Sequence, residues 1–140
     1  MSASLARRYF VRGHTELGRA ENEAASESFR AAIDLHPTFM SARIGYAVAL
    51  ARMGDIPRAA QALRAGLGRP ASERSRVALL VTMGDVLTAG GDFFAAEDAY
   101  RQVLELSPNE TAALAGIARV YAKLGRYGDA FTSLLSAARK

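Results

Sequence analysis

The sequence predicts an all-α chain built from four repeated antiparallel helical hairpins, eight helices in all. Three observations carry this. Alanine fills 29 of 140 positions while proline occurs only four times, a mixture suited to closely packed helices. Half the residues are hydrophobic and 23% are charged, the balance of a globular chain rather than a disordered one. Most tellingly, the chain is similar to itself at a fixed period.

Frames opened at Ala6, Met40, Val77 and Thr111 put chemically equivalent residues in columns. The eighth column reads Gly13, Ala47, Gly84, Ala118, and the twentieth reads Ala25, Ala59, Ala96, Ala130. Four alanines in one preset column have a chance of roughly 0.002 at this composition. The twenty-fourth column, Phe29, Leu63, Tyr100 and Leu134, is always large and apolar, whereas the twenty-seventh, Ala32, Gly66, Val103 and Ala137, is mostly small. The repeats therefore run over about 6–39, 40–73, 77–110 and 111–140, with a longer joint at 68–76, inside one domain spanning 1–140. The small eighth position is expected to face the alanine in the twentieth, letting the two helix axes approach, with the large twenty-fourth residue filling the space beside them.

Local signals divide each repeat into two helices. The run Gly54-Asp55-Ile56-Pro57 supplies a stop glycine, an N-cap aspartate and a proline tolerated in the first turn, and Gly91-Asp92 repeats the first two. Gly125 stops the seventh helix, and Thr38, Ser72 and Asn109 are candidate N-caps after the turns at Pro37, Pro70 and Pro108. Helices are expected at about 4–17, 22–35, 39–53, 56–67, 73–89, 93–106, 110–124 and 127–138. One hairpin cannot hide its own apolar face, so stacking of neighbours makes the core.

Composition also restricts function. The absence of cysteine excludes disulfides and thiolate metal sites. The N-terminal stretch MSASLARRYFVRG has arginines where a secretion signal needs an apolar core, which makes a cytoplasmic setting the expectation. The longest apolar stretch, Ile44 to Ala51, falls far short of the roughly 20 residues that cross a bilayer, so no membrane insertion is expected. The net charge of +4 comes almost entirely from arginines scattered among acids, an arginine usage typical of GC-rich bacterial genomes rather than of a nucleic-acid groove.

Catalytic patterns are missing. The two histidines, His14 and His36, lie on different elements without metal-ligand spacing, and no nucleophile elbow or phosphate loop occurs. His36, next to Pro37, reads as a solvated turn residue. The segment GDFFAAEDAY invites a phosphate or metal reading, but Glu97 and Asp98 are adjacent on a helix and point about 100° apart. Glu97 pairs more naturally with Arg101 one turn on, as part of a water-facing surface. Neither enzymatic activity nor a metal or cofactor is expected.

The third repeat, VALLVTMGDVLTAGGDFFAAEDAYRQVLELSPNE, resembles the tetratricopeptide repeat family. Leu80, Met83, Gly84, Leu87, Ala96, Tyr100, Val103 and Pro108 occupy the signature positions, with Leu80 where tryptophan is usual, and the resemblance extends over residues 6–140. Departures fall at Arg12 and Glu16, where the pattern has apolar and aromatic residues, and at Arg43, which lacks an aromatic. The resemblance implies a right-handed α-solenoid whose first helices line a concave groove through positions 2, 5, 9, 12 and 13 of each frame. The groove residues it implies include Arg7, Phe10, His14, Leu17, Ile44, Val48, Arg52, Val81, Asp85, Arg119 and Lys123. Phe10, Leu17, Ile44, Val48 and Val81 would make an apolar strip with a cationic rim, the mark of a partner site, unless some of them belong to the core.

The family's clamp for acidic C-termini needs lysine and asparagines where this chain has Phe10, His14, Gly45, Ala78 and Thr82, so that partner class is not expected. The expected activity is non-catalytic binding, as an adaptor or scaffold, of a protein or peptide segment with apolar and some acidic character. Two alternatives from other classes remain at this level. One is self-assembly into a homo-oligomer through Phe131, Leu134 and Leu135 of the last helix, which cannot all face inward together with Ala138, or a continuation of the repeats beyond that helix. The other is single-stranded RNA binding, for which base-reading polar columns are not evident.

Overall fold

The computed structural model describes residues 2–138, with the side chain of Ala138 excluded. Among these residues there are eight α-helices and no strand: α1 (Ser2–Gly18), α2 (Asn22–Leu35), α3 (Met40–Arg52), α4 (Ile56–Leu67), α5 (Glu73–Ala89), α6 (Phe93–Leu106), α7 (Thr111–Lys123) and α8 (Tyr127–Ala138). Five helices have the bounds the sequence signals give. The end of the fourth repeat, at Lys140, and the side chain of Ala138, one of the four that cannot all face inward, lie outside what is described. The chain forms two compact units, one up to Ser75 and one from Arg76.

Each hairpin reverses in the same way. Gly54, Gly91 and Gly125 take positive φ, at 85°, 84° and 78°, as stop glycines should. The residue after each closes the turn onto the preceding helix: the amide of Asp55 donates to the Leu50 carbonyl, Asp92 to Leu87 and Arg126 to Tyr121. In the first hairpin Glu21 donates to Glu16 in the same manner, but the left-handed position is held by Ala20, at φ 61°. Asp55 and Asp92 then cap the next helix, accepting from the amides of Arg58 and Ala95 at 3.3 Å, and Ser72 does the same for Ser75 at 3.1 Å.

Thr38 and Asn109 do not serve as the N-caps expected of them. Each sits in a tight turn led by proline, closed by Phe39 donating to the His36 carbonyl and Glu110 to that of Ser107. The turn consumes one more residue, so Phe39 and Glu110 become the caps without side-chain bonds, and α3 and α7 begin one residue late. His36 is also half-buried rather than solvated, its ring centroid 5.5 Å from that of Phe39.

The core of each unit centres on one ring. In the first, Phe29 of α2 is fully buried between Gly13 of α1 and Gly45 of α3: a Cβ on either glycine would come within 2.9 and 2.5 Å of its atoms. In the second, Tyr100 of α6 is fully buried between Gly84 of α5, where a Cβ would approach to 2.5 Å, and Gly116 of α7. The three atoms nearest a Cβ on Gly13 or Gly84 all belong to the rings, so the large twenty-fourth residue fills the space each glycine leaves, and Ala25 and Ala96 of the twentieth column are themselves fully buried. The glycines clear room for an aromatic ring within the hairpin and, from the next first helix, on its other side.

The departures from the family pattern are satisfied locally. Glu16 accepts a 2.5 Å hydrogen bond from the Ser28 hydroxyl of α2, and Arg43, almost wholly buried, donates through Nε to the Pro37 carbonyl at 2.9 Å.

Two measurements check this packing. Ala20→Gly relieves an alanine held in the left-handed region and is expected to raise unfolding stability by about 1 kcal/mol in urea denaturation. Gly45→Ala overpacks the Phe29 ring and is expected to lower it by about 1–3 kcal/mol in the same measurement.

Candidate functional site

In the first unit, α1 and α3 supply the residues of the expected groove. Helical spacing sets Arg7, Phe10, His14 and Leu17 along α1, and Ile44, Val48 and Arg52 along α3. Phe10, Leu17, Ile44 and Val48 are half-buried, while Arg7, His14 and Arg52 are exposed. Phe10 and Leu17 belong partly to the core, packing against the Phe29 cluster from its outer side. Phe10 meets the rings of His14 edge-on at 4.7 Å, Phe39 at 4.9 Å and Phe29 at 5.9 Å. His14 also stands edge-on to Phe29 at 5.8 Å. Arg52 reaches across to donate to the Leu17 carbonyl at 3.1 Å, tying the end of α3 to the end of α1.

An open cleft of about 430 Å³ lies beside Arg7, lined also by Ala3, Ser4, His36 and Phe39. Sequence reasoning did not single out Phe39. The signal available was its place directly after the turn at Pro37, where an aromatic leads into α3 and can meet Phe10.

The second unit presents different chemistry at the corresponding positions. Val81 is half-buried, and Asp85, Arg119 and Lys123 are exposed. Asp85 accepts a short hydrogen bond from the Tyr100 hydroxyl, and its Oδ1 lies 3.5 Å from Arg119 Nη2. Burial, followed by the bond to Asp85, pushes the Tyr100 phenol well above its ordinary range. The neighbouring hydroxyls are spent within their own helix, Thr82 donating to the Ala78 carbonyl and Thr88 to that of Gly84. Apolar surface of the predicted kind is thus concentrated in the first unit, and an aspartate–arginine pair marks the second.

Glu97 is not the water-facing group the sequence suggested. Its side chain is only 12% exposed, because it accepts from Arg101 at 2.8 Å, as expected, and also from Arg126 at 3.3 Å. Arg126 bonds Asp129 at 3.0 Å and places its guanidinium 4.3 Å from the centre of the Tyr121 ring, while Arg101 donates to the Tyr121 hydroxyl at 2.7 Å. This network stitches α6, α7 and α8 together. Asp98 stays exposed and accepts from Gln102. On α8, Phe131, Leu134 and Leu135 are all exposed. Among the described residues no three His, Cys, Asp or Glu side chains lie close enough together to hold a metal ion, and no helix is long and apolar enough to cross a membrane.

The raised phenol gives a pH signature. A group held neutral by the fold contributes stability that is fully present below its unfolded pKa, 10.0 for tyrosine, and is lost as the pH climbs beyond it. Tyr100→Phe is expected to cost about 0.5–1.5 kcal/mol at neutral pH, and urea denaturation repeated above pH 10 should show that difference shrinking.

Known proteins place the fold. The tetratricopeptide repeat model matches residues 10–74 and again 81–140. No curated protein sequence gives a significant match. Among solved structures, the type IV pilus biogenesis factor PilW is 22% identical with a TM-score of 0.83, covering 94% of this chain and 60% of its own. MamA is 18% identical at a TM-score of 0.78, covering 96% and 77%. The first TPR of Spaghetti, bound to an HSP90 peptide, is 19% identical at 0.75, covering 88% and 95%. At these identities the likeness is one of fold, and it agrees with the four hairpins, three stop glycines and two buried rings. The chain belongs to the tetratricopeptide repeat family.

Proposed function

We propose that this protein is a non-catalytic interaction module whose first unit captures an apolar segment of a partner protein along Phe10, Leu17, Ile44 and Val48. The observation that carries the reading is this half-buried strip with Arg7 and Arg52 exposed at its edges. Side chains fixed by a core lose little entropy on binding, so modest apolar contacts suffice for a specific complex. The arginines favour a segment carrying acidic residues beside its apolar ones. The second unit, taken by itself, has Val81 half-buried, Lys123 exposed, and Arg119 facing Asp85.

Relatives by fold support binding as the type of activity. One solved structure is a complex with an HSP90 peptide, and another, 21% identical at a TM-score of 0.80, is the APC/C hetero-tetramer Cut9-Hcn1, of which this chain covers 26%. The carboxylate-clamp mode is not carried over. A longer residue at Gly45, one of the clamp positions, would run into the Phe29 ring, and Phe10 and His14 occupy two others. The reading includes no cofactor, no nucleic acid and a cytoplasmic setting.

Val48→Glu places a carboxylate in the middle of the strip. Desolvating that charge costs at least about 2 kcal/mol, roughly a thirtyfold loss of affinity, with the helical circular dichroism unchanged. Affinity capture from the source cells with wild-type and Val48→Glu protein tests this. Retention of the same partners by a folded Val48→Glu protein contradicts the strip as the binding surface.

A further inference from the structure

The first repeat departs from the others around the open cleft beside Arg7, which is walled by the start of α1 and the turn from α2 to α3. Frame by frame, Arg7 corresponds to Ser41, Ala78 and Ala112, His36 to Pro70 and Ser107, and Phe39 to Glu73 and Glu110. A cation thus replaces small residues, and an aromatic ring replaces a carboxylate, around one space of about 430 Å³. The polar side chains that line it, those of Ser4, Arg7 and His36, can all donate hydrogen bonds, and none of the described lining residues is acidic. Among the described residues neither Arg7 nor His36 is paired with an acid. The complementary guest is an anion.

The cleft continues the apolar strip. The ring centroid of Phe39 lies 4.9 Å from that of Phe10 and 5.5 Å from that of His36, so a row of rings leads from the strip into the cleft. The turn that carries two of these rings is fixed by three bonds, each of 2.9 Å. The His36 amide donates to the Ala32 carbonyl, the Phe39 amide to the His36 carbonyl, and Arg43 Nε to the Pro37 carbonyl. Half-buried His36 and Phe39 are therefore in place before a ligand arrives, while exposed Arg7 can turn toward it.

We propose, resting on the reading of the strip as a partner site, that this cleft seats an aspartate or glutamate side chain of the captured segment. Its carboxylate accepts from Arg7 and His36, and the adjoining apolar residue lies against Phe39 and Phe10. The cleft thereby sets the register of the segment on the strip, with the acidic residue at the Phe10 end. It also discriminates by charge, because a hydrogen bond between ionised partners is stronger than a neutral one.

Nuclear magnetic resonance titration with capped dipeptides reads the cleft without the partner. N-acetyl-phenylalanyl-glutamate amide is expected to give saturable shifts at the His36 ring and the Phe39 amide, and its glutamine analogue to bind at least about tenfold more weakly. Arg7→Gln, at an exposed position, should remove most of that difference with the helical signal unchanged. No saturable shift up to roughly 20 mM probe, equal binding of the two dipeptides, or a full preference that survives Arg7→Gln overturns the proposal. Tighter binding by the glutamine dipeptide with a free C-terminal carboxylate would assign the cleft to a chain end, and overturns it too. Val48 does not line the cleft, so capture by Val48→Glu tests the strip separately and either reading can fail alone.

Discussion

One aromatic ring held between two helical glycines is the contact on which each unit depends. Phe29 sits between Gly13 and Gly45, and Tyr100 between Gly84 and Gly116. In both cases the first glycine belongs to the same hairpin as the ring and the second to the next hairpin along. The ring therefore sets the approach of three helices at once, and fully buries a large apolar area in a place where any side chain on the glycines would collide. Alanine and glycine weaken a helix or contribute little surface by themselves. Here they are what makes room for the ring that supplies the surface.

The same device gives the two units different faces. In the first, the ring is phenylalanine, and Phe10 and His14 of α1 join it in an aromatic cluster. In the second, the ring is tyrosine, and its hydroxyl emerges at Asp85, which in turn faces Arg119. A single oxygen atom separates an apolar cluster in one unit from an ionic one in the other.

Much of this fold is visible in the residues. The stop glycines, the caps Asp55, Asp92 and Ser72, and the columns of small and large residues locate the eight helices closely, because each is a local signal with one structural meaning. Legibility fails where two local signals compete or where contact crosses between hairpins. Thr38 and Asn109 are good caps by type, but the proline turns before them use up the residue. Gly45 and Gly116 look like ordinary helix glycines until the ring of the preceding repeat is placed against them. Glu97 reads as solvent-facing from its own helix alone, and the arrival of Arg126 from the turn of the next hairpin, beside Arg101, explains how it is covered. Which side chains share one face of a helix was legible, since helical spacing fixes it, whereas their assignment to a groove came from the family resemblance alone. The division of chemistry between the units was not legible, because it turns on the hydroxyl of a buried ring.

The most direct test of the account is a double-mutant cycle between Gly116 and Tyr100, read by urea denaturation. If the glycine exists to admit the ring, Gly116→Ala should be strongly destabilising beside Tyr100 and nearly harmless beside Tyr100→Leu, where the smaller side chain leaves space, with a coupling of about 1–3 kcal/mol. Equal costs for Gly116→Ala in both backgrounds would contradict the ring between glycines as the contact that holds the hairpins together.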